Sequence, residues 1–193
     1  MSGPLTAASR PYAWPWHGAF APAQTALLVV RDGDIAPAQG SIESLLGSIV
    51  RLAAGVGLTV GELPDSASAP NLPNFASDFI VLRPHYGGFS GTDLDSVLRK
   101  RGITELILAG FPFELGADCT MRQANDLGYE CLALTDCCTG LAPDTLAGAI
   151  SSIQMSGGIF GAVAESAALL DLFARYREAQ IAAPAAQHAG VTA

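Results

Sequence analysis

Charged residues are scarce in this 193-residue chain, at 15% of the total, whereas soluble domains typically contain about 25%. Basic residues are fewer than acidic ones. The chain has 10 Lys and Arg against 18 Asp and Glu, which gives a net charge of −8. This balance argues against a nucleic-acid partner, because phosphate binding needs clustered Lys and Arg. A soluble protein with so few charges is expected to hide part of its surface in an oligomer.

Long apolar runs and cysteine motifs are also missing. No apolar run reaches the ~18 residues of a membrane span, and the N-terminal segment lacks the apolar core of a signal peptide. We therefore expect a cytoplasmic protein without membrane contact. The four cysteines have no CxxC spacing, which predicts free thiols and neither a disulfide framework nor a zinc site. They are Cys119, Cys131, Cys137 and Cys138.

Apolar residues are plentiful, at 50% of the chain, which is enough for the core of one domain. The continuous run Thr25–Val30 predicts a strand buried on both faces, and residues Ser41–Val56 show helical spacing. Strands and helices then alternate along the chain. This pattern predicts an α/β fold, a three-layer α/β/α sandwich around a mainly parallel sheet of about six strands. We assign it to residues 24–178 and expect 179–193 to be a flexible tail.

An N-terminal arm of residues 1–23 precedes this domain. It contains four prolines, which exclude a helix. Its aromatic residues Tyr12, Trp14 and Trp16 would be costly to expose to water. We expect the arm to pack on a surface, its own or a neighbour's, and we assign it to a neighbouring protomer.

Three segments are expected to reach the carboxyl edge of the sheet, where open α/β sheets bind ligands. They are Val30–Asp34, Leu82–Tyr86 and Gly110–Gly116. Together with motifs elsewhere, they make residues 11–175 resemble the isochorismatase-like cysteine hydrolases. The motifs are Thr25–Val30, Arg83-x-x-Tyr86-x-x-Phe89-x-x-Thr92-x-Leu94, Gly102-Ile103, Leu108-Ala109-Gly110, Thr120-x-Arg122-x-Ala124-x-x-x-Gly128-Tyr129 and Asp136. The arm segment Pro11–Pro15 further resembles the ureidoacrylate and biuret hydrolase branch.

The resemblance implies hydrolysis of an amide or ureido bond by an Asp, a Lys and a Cys nucleophile. When the family's motifs are matched to this chain position by position, the Asp corresponds to Arg31, the Lys to Arg83 and the Cys to Gly116. Glycine offers no nucleophile, and a guanidinium cannot accept a proton. Some isochorismatases also carry Gly at the Cys position, but they need the Asp as the acid for vinyl-ether cleavage. We therefore expect no catalytic residue and no cofactor.

The candidate pocket combines the degenerate triad positions with their neighbours. Its members are Arg31, Asp34, Arg83, His85, Phe111, Pro112, Phe113, Gly116 and Cys119. The family has a cis peptide just before the helix that bears the Cys, so we expect Phe111–Pro112 to be cis. The nicotinamidase branch binds metal through an Asp-x-His-x-x-His motif after the second strand. That loop, residues 62–76, contains no His here, so we expect no metal.

The sequence thus predicts a hydrolase homologue without catalytic activity. The resemblance implies assembly as a dimer or tetramer, with itself or with an active paralogue. One alternative is a protein that binds a small carboxylate or other anion through Arg31 and Arg83. Another is a diverged hydrolase of small amide or ureido compounds that uses Cys119, His85 and Asp34.

Overall fold

The structure is a computed structural model and describes residues 4–32, 40–67 and 75–182. Asp34 and residues 183–193 of the expected tail lie outside the described residues. None of the helices in the described ranges combines the length and hydropathy needed to cross a membrane.

Six strands form one sheet, and every neighbouring pair is parallel. They are β1 (Thr25–Arg31), β2 (Thr59–Pro64), β3 (Phe79–Ile80), β4 (Glu105–Phe111), β5 (Glu130–Cys138) and β6 (Ala162–Ala164). Their order across the sheet is β3-β2-β1-β4-β5-β6. All seven residues of β1 are buried, because this central strand is covered on both faces. The predicted α/β fold with a parallel six-stranded sheet is confirmed.

The described residues include five α-helices, of which four lie between successive strands and the fifth follows β6. They are α1 (Gly40–Val56), α2 (Leu94–Lys100), α3 (Asp118–Asp126), α4 (Pro143–Met155) and α5 (Ser166–Ala182). A π-helical turn, Phe113–Ala117, leads directly into α3. The buried apolar residues fall into two clusters, one with side chains of α1 and α5 and the other with side chains of α2, α3 and α4. These clusters are the two interfaces of the expected three-layer sandwich. Helix α5 continues to Ala182, beyond the predicted domain end at residue 178.

Alternation along β1 decides which layer each side chain enters. Leu27 and Val29 belong to the cluster of α1 and α5, whereas Leu28 and Val30 belong to the cluster of α2, α3 and α4. Successive residues of a strand point to opposite faces. Arg31 therefore follows Val29 into the first layer.

The arm packs on its own chain. Trp14 is fully buried in the cluster of α1 and α5, beside Phe20. The backbone of Arg10 exchanges two hydrogen bonds with Val163, of 3.0 and 2.8 Å, and so attaches the arm to edge strand β6. Trp16 remains 73% exposed. The expectation that the arm packs on a neighbouring protomer is therefore wrong for Trp14, which packs on its own chain. Contact of Trp16 with a neighbouring protomer stays a prediction.

Candidate functional site

A cavity of about 550 Å³ opens at the carboxyl edge of the sheet, a volume within the usual range for small-molecule sites. The segment after β1, the segment that contains Arg83 and the π-helical turn meet there, as the sequence predicts. The lining residues are Asp32, Asp65, Ser66, Ala67, Arg83, Pro84, His85, Tyr86 and Leu115. Of the predicted pocket residues, Arg83 and the exposed His85 are therefore in place.

The Arg83 side chain is fully buried beside this cavity and donates five hydrogen bonds. Its Nε donates to the Leu63 carbonyl at 2.7 Å, and its Nη1 donates to the carbonyls of His85, at 3.1 Å, and Tyr86. Its Nη2 donates to the Arg31 carbonyl at 3.0 Å and to Oδ1 of Asp32. A guanidinium has five N–H donors, so Arg83 has no donor left for an external anion.

Asp32 supplies the carboxylate that pairs with Arg83. It is 9% exposed and faces the cavity. The resemblance places the family's Asp one residue earlier, at Arg31, and sequence reasoning therefore did not select Asp32. The signal that could have found it is the strand period of two, because Asp32 has the orientation of Val30. A carboxylate and a cation thus face each other at this cavity, in the pair of Asp32 with Arg83.

Arg31 lies on the other face of the sheet. Its guanidinium pairs with the carboxylate of Glu62 and lies over the ring of Phe75, 5.0 Å from the centroid. Arg31 and Glu62 are 2% and 1% exposed. Burial lowers the pKa of Arg31, and the Glu62 carboxylate opposes this shift. The expectation that Arg31 and Arg83 form one positive pocket is therefore wrong, because adjacent strand residues point in opposite directions.

The segment before α3 contributes less to the cavity than expected. The Phe111–Pro112 bond is cis, as predicted. Phe111 and Phe113, however, are buried in the core, on opposite faces of the sheet. Leu115 is the residue of this segment that lines the cavity.

Gly116 is packed too tightly to hold a larger side chain. A Cβ atom at this position would lie 2.8 Å from Cγ1 of Val30, closer than packed carbon atoms approach. Val30 is fully buried and branched at Cβ, so it cannot easily turn away. The position that the resemblance assigns to the nucleophile is therefore tightly packed against Val30.

We expect Gly116→Ala to lower the free energy of unfolding by about 1–3 kcal/mol, the usual cost of an overpacked core. The matched control is Gly148→Ala in α4, where a Cβ would meet nothing within 4 Å. That change should instead stabilise the protein by about 0.5–1 kcal/mol, because Ala is the better helix former. Urea denaturation of both variants measures the difference, and equal free energies would contradict the packing argument.

The thiols are poor nucleophiles. Cys119 is half-buried, and its Sγ lies 3.5 Å from the Glu114 carbonyl oxygen. Burial, followed by the negative charge of Asp118, raises the pKa of this thiol, and Arg122 and Arg83 offset only part of the shift. Burial raises the pKa of Cys137 to about 12 and also raises that of Cys131 and Cys138. The thiolate is the reactive form, and each of these shifts disfavours it.

The chain matches the isochorismatase domain over residues 55–167, more than half of its length. The uncharacterized isochorismatase family protein YwoC of Bacillus subtilis is 40% identical over 78 residues, which cover 39% of this chain and 41% of that protein. Ureidoacrylate amidohydrolase RutB of Acinetobacter baylyi is 37% identical over 68 residues, 35% of this chain and 28% of RutB. The matches thus span about two fifths or less of these curated relatives.

Solved structures match a larger part of the chain. A cysteine hydrolase from Pseudomonas syringae superposes with a TM-score of 0.67 at 21% identity, covering 93% of this chain and 100% of that one. An isochorismatase family protein from Burkholderia thailandensis gives a TM-score of 0.65 at 23% identity, covering 80% and 96%. At these identities the likeness establishes the shared fold.

Proposed function

We propose that this chain, which belongs to the isochorismatase family, is a hydrolase homologue that does not perform cysteine-dependent hydrolysis of amide or ureido bonds. The observation that carries this proposal is the contact of Gly116 with Val30, which leaves no room for a nucleophile at the start of the helix. That chemistry needs a thiolate, and burial raises the pKa of Cys119, which disfavours its thiolate.

In this proposal the chain has a non-catalytic role, either as a subunit of a homo-oligomer or as the binding partner of an active family member. Large apolar side chains exposed near edge strand β3 support it. Ile80 is 50% exposed, Leu82 is 53% exposed and Tyr86, at the cavity, is 60% exposed. Light scattering tests the homo-oligomer, because a monomeric mass would contradict it.

One observation favours a second candidate function, hydrolysis without a thiol. The Asp32 carboxylate lines the cavity, so this cavity contains a carboxyl group although Arg31 cannot serve as one. In this candidate function the protonated form of Asp32 would donate its proton to the terminal carbon of a vinyl ether. Water would then add to the oxocarbenium carbon, and the hemiketal would break down to a keto acid and an alcohol. Binding of an anion by Arg83 is the weaker alternative, because its five N–H groups are already used.

We expect the purified protein to release no ammonia from biuret, ureidoacrylate or nicotinamide, whereas working enzymes reach about 1–10³ s⁻¹. Pyruvate release from isochorismate tests the second candidate in the same preparation. The variants Cys119→Ala and Asp32→Asn separate the mechanisms.

Ammonia release that disappears in Cys119→Ala would overturn the proposal and establish a shifted nucleophile. Pyruvate release that survives Cys119→Ala and disappears in Asp32→Asn would select the acid mechanism. Absence of turnover on all four compounds supports the non-catalytic function.

A further inference from the structure

A second cavity, of about 400 Å³, lies at the amino-terminal edge of the sheet. Its lining includes Glu130, the first residue of β5, and Gly158, which precedes β6. Tyr12 and Trp16 of the arm form another wall. Because the strands are parallel, this cleft and the cavity of Asp32 and Arg83 lie at opposite edges of the sheet. No part of the function proposed above uses it.

The aromatic wall is exposed to ligands. Tyr12 and Trp16 pack edge to face, with ring centroids 5.1 Å apart and planes at 82°. Trp16 is 73% exposed, whereas Trp14, two residues earlier, is fully buried. The face of an exposed Trp ring attracts cations through its quadrupole.

Glu130 places a carboxylate beside these rings. It accepts a hydrogen bond from the backbone N–H of Trp16, and the Tyr12 side chain is close enough to affect its pKa. Within the described ranges no Lys or Arg forms an ion pair with it. Burial raises the pKa of Glu130, and the neighbouring carboxylate of Glu105 adds to the shift. Glu105 is the in-register residue on β4, so two carboxylates lie side by side.

His17 is the nearest basic side chain, and it is already engaged. Its Nε2 lies 2.6 Å from Oε1 of Glu105. The ligand-type atoms of His17, Glu105 and Glu130 lie within 4.8 Å of one another, so a divalent metal is the competing occupant of this edge. Nε2 of His17 and Oε1 of Glu130 already take part in hydrogen bonds. A metal bound to this cluster would also not involve the rings of Tyr12 and Trp16.

Glycine forms the floor of the cleft. Gly128, Gly157 and Gly158 line it and present backbone where other residues would place side chains. A Cβ at Gly158 would approach the Tyr12 ring to 3.1 Å. Glycine at position 158 therefore keeps a side chain from crowding the Tyr12 ring.

We propose that this cleft binds a small organic cation of the alkylammonium class. The cationic nitrogen lies against the Glu130 carboxylate, and its alkyl carbons cover the rings of Tyr12 and Trp16. Charge attraction, cation–π attraction and apolar contact then act on one ligand. The net charge of −8 favours the approach of a cation.

The test titrates the full-length protein with n-butylammonium chloride at constant ionic strength, followed by Trp fluorescence and by calorimetry. We expect saturable binding with a Kd of about 1–10 mM and at least tenfold weaker binding of n-butanol, its neutral analogue. Glu130→Gln should weaken ammonium binding about tenfold, while its amide oxygen still accepts from the Trp16 N–H. Trp16→Ala, followed by calorimetry, should weaken binding to a similar extent.

The matched control is Tyr86→Ala, which removes an exposed aromatic residue at the other cavity and should leave the Kd unchanged. Circular dichroism melting shows whether each variant is folded. Absence of saturation at about 100 mM, equal binding of n-butanol, or an unchanged Kd in folded Glu130→Gln would overturn the proposal. Micromolar Zn²⁺ binding that is lost in His17→Ala and unaffected by n-butylammonium would assign the cluster to a metal.

Discussion

Replacing Arg31 with Met is expected to lower the free energy of unfolding by about 3–5 kcal/mol, the usual cost of breaking a buried ion pair on one side. The reason is Glu62, which is 1% exposed and would lose the guanidinium that its Oε2 contacts. Its Oε1 would still accept the Phe75 N–H at 2.9 Å, which does not neutralise a buried charge. Urea denaturation measures the change.

The double variant Arg31→Met with Glu62→Leu is the control. Removing both charges should cost less than Arg31→Met alone, because apolar residues of similar volume replace buried pairs at little cost. A single variant within about 1 kcal/mol of wild type, or a double variant that costs the sum of its parts, would contradict this account.

This result bears on any attempt to rebuild the family's chemistry. The resemblance suggests restoring the triad as Arg31→Asp, Arg83→Lys and Gly116→Cys. Arg31→Asp would place a second carboxylate beside Glu62, and Gly116→Cys would press against Val30. We expect this triple variant to be unfolded and therefore inactive, because Arg31→Asp and Gly116→Cys both change tightly packed, buried positions.

Replacing Arg83 with Ala is expected to be similarly costly, at about 3–5 kcal/mol. The change removes the five hydrogen bonds that Arg83 donates to four backbone carbonyls and to the Asp32 carboxylate. Of these carbonyls, that of Arg31 still accepts the Asp65 N–H at 2.9 Å. It would also open the cavity, because Arg83 joins the end of β1 to the backbone of His85 and Tyr86. Arg83→Lys should recover only part of the loss, since an ammonium has three donors and no planar fork.

Arg99→Ala is the matched control for an exposed arginine. Arg99 pairs with Asp95 across one helical turn, donates to the Leu127 carbonyl at 2.6 Å and lies over the Tyr129 ring, but its side chain is 47% exposed. Such a pair contributes about 0–1 kcal/mol. Chemical denaturation of the three variants at one pH makes the comparison. If Arg83→Ala cost no more than Arg99→Ala, the network around Arg83 would not hold the site together.

Local patterns in the chain were sufficient for the fold. The apolar run in β1 and the helical spacing in α1 depend on residues near one another in sequence, and the structure has both elements as predicted. The cis bond at Phe111–Pro112 was expected from the family resemblance, and the structure has it. The resemblance also assigns the position of the nucleophile to Gly116, and this assignment stays a prediction. Both inferences need only residue types and motifs, which a linear sequence contains.

The partners of the polar side chains were decided by tertiary structure alone. Arg31 meets Glu62, 31 positions away, and Arg83 meets Asp32, 51 positions away. These pairs depend on the register between strands, where Arg31 lies beside Pro64 and Phe111. A shift of one residue would exchange the faces of Arg31 and Asp32. The cleft of Tyr12, Trp16 and Glu130 has the same origin, because the folded sheet brings the arm to the start of β5.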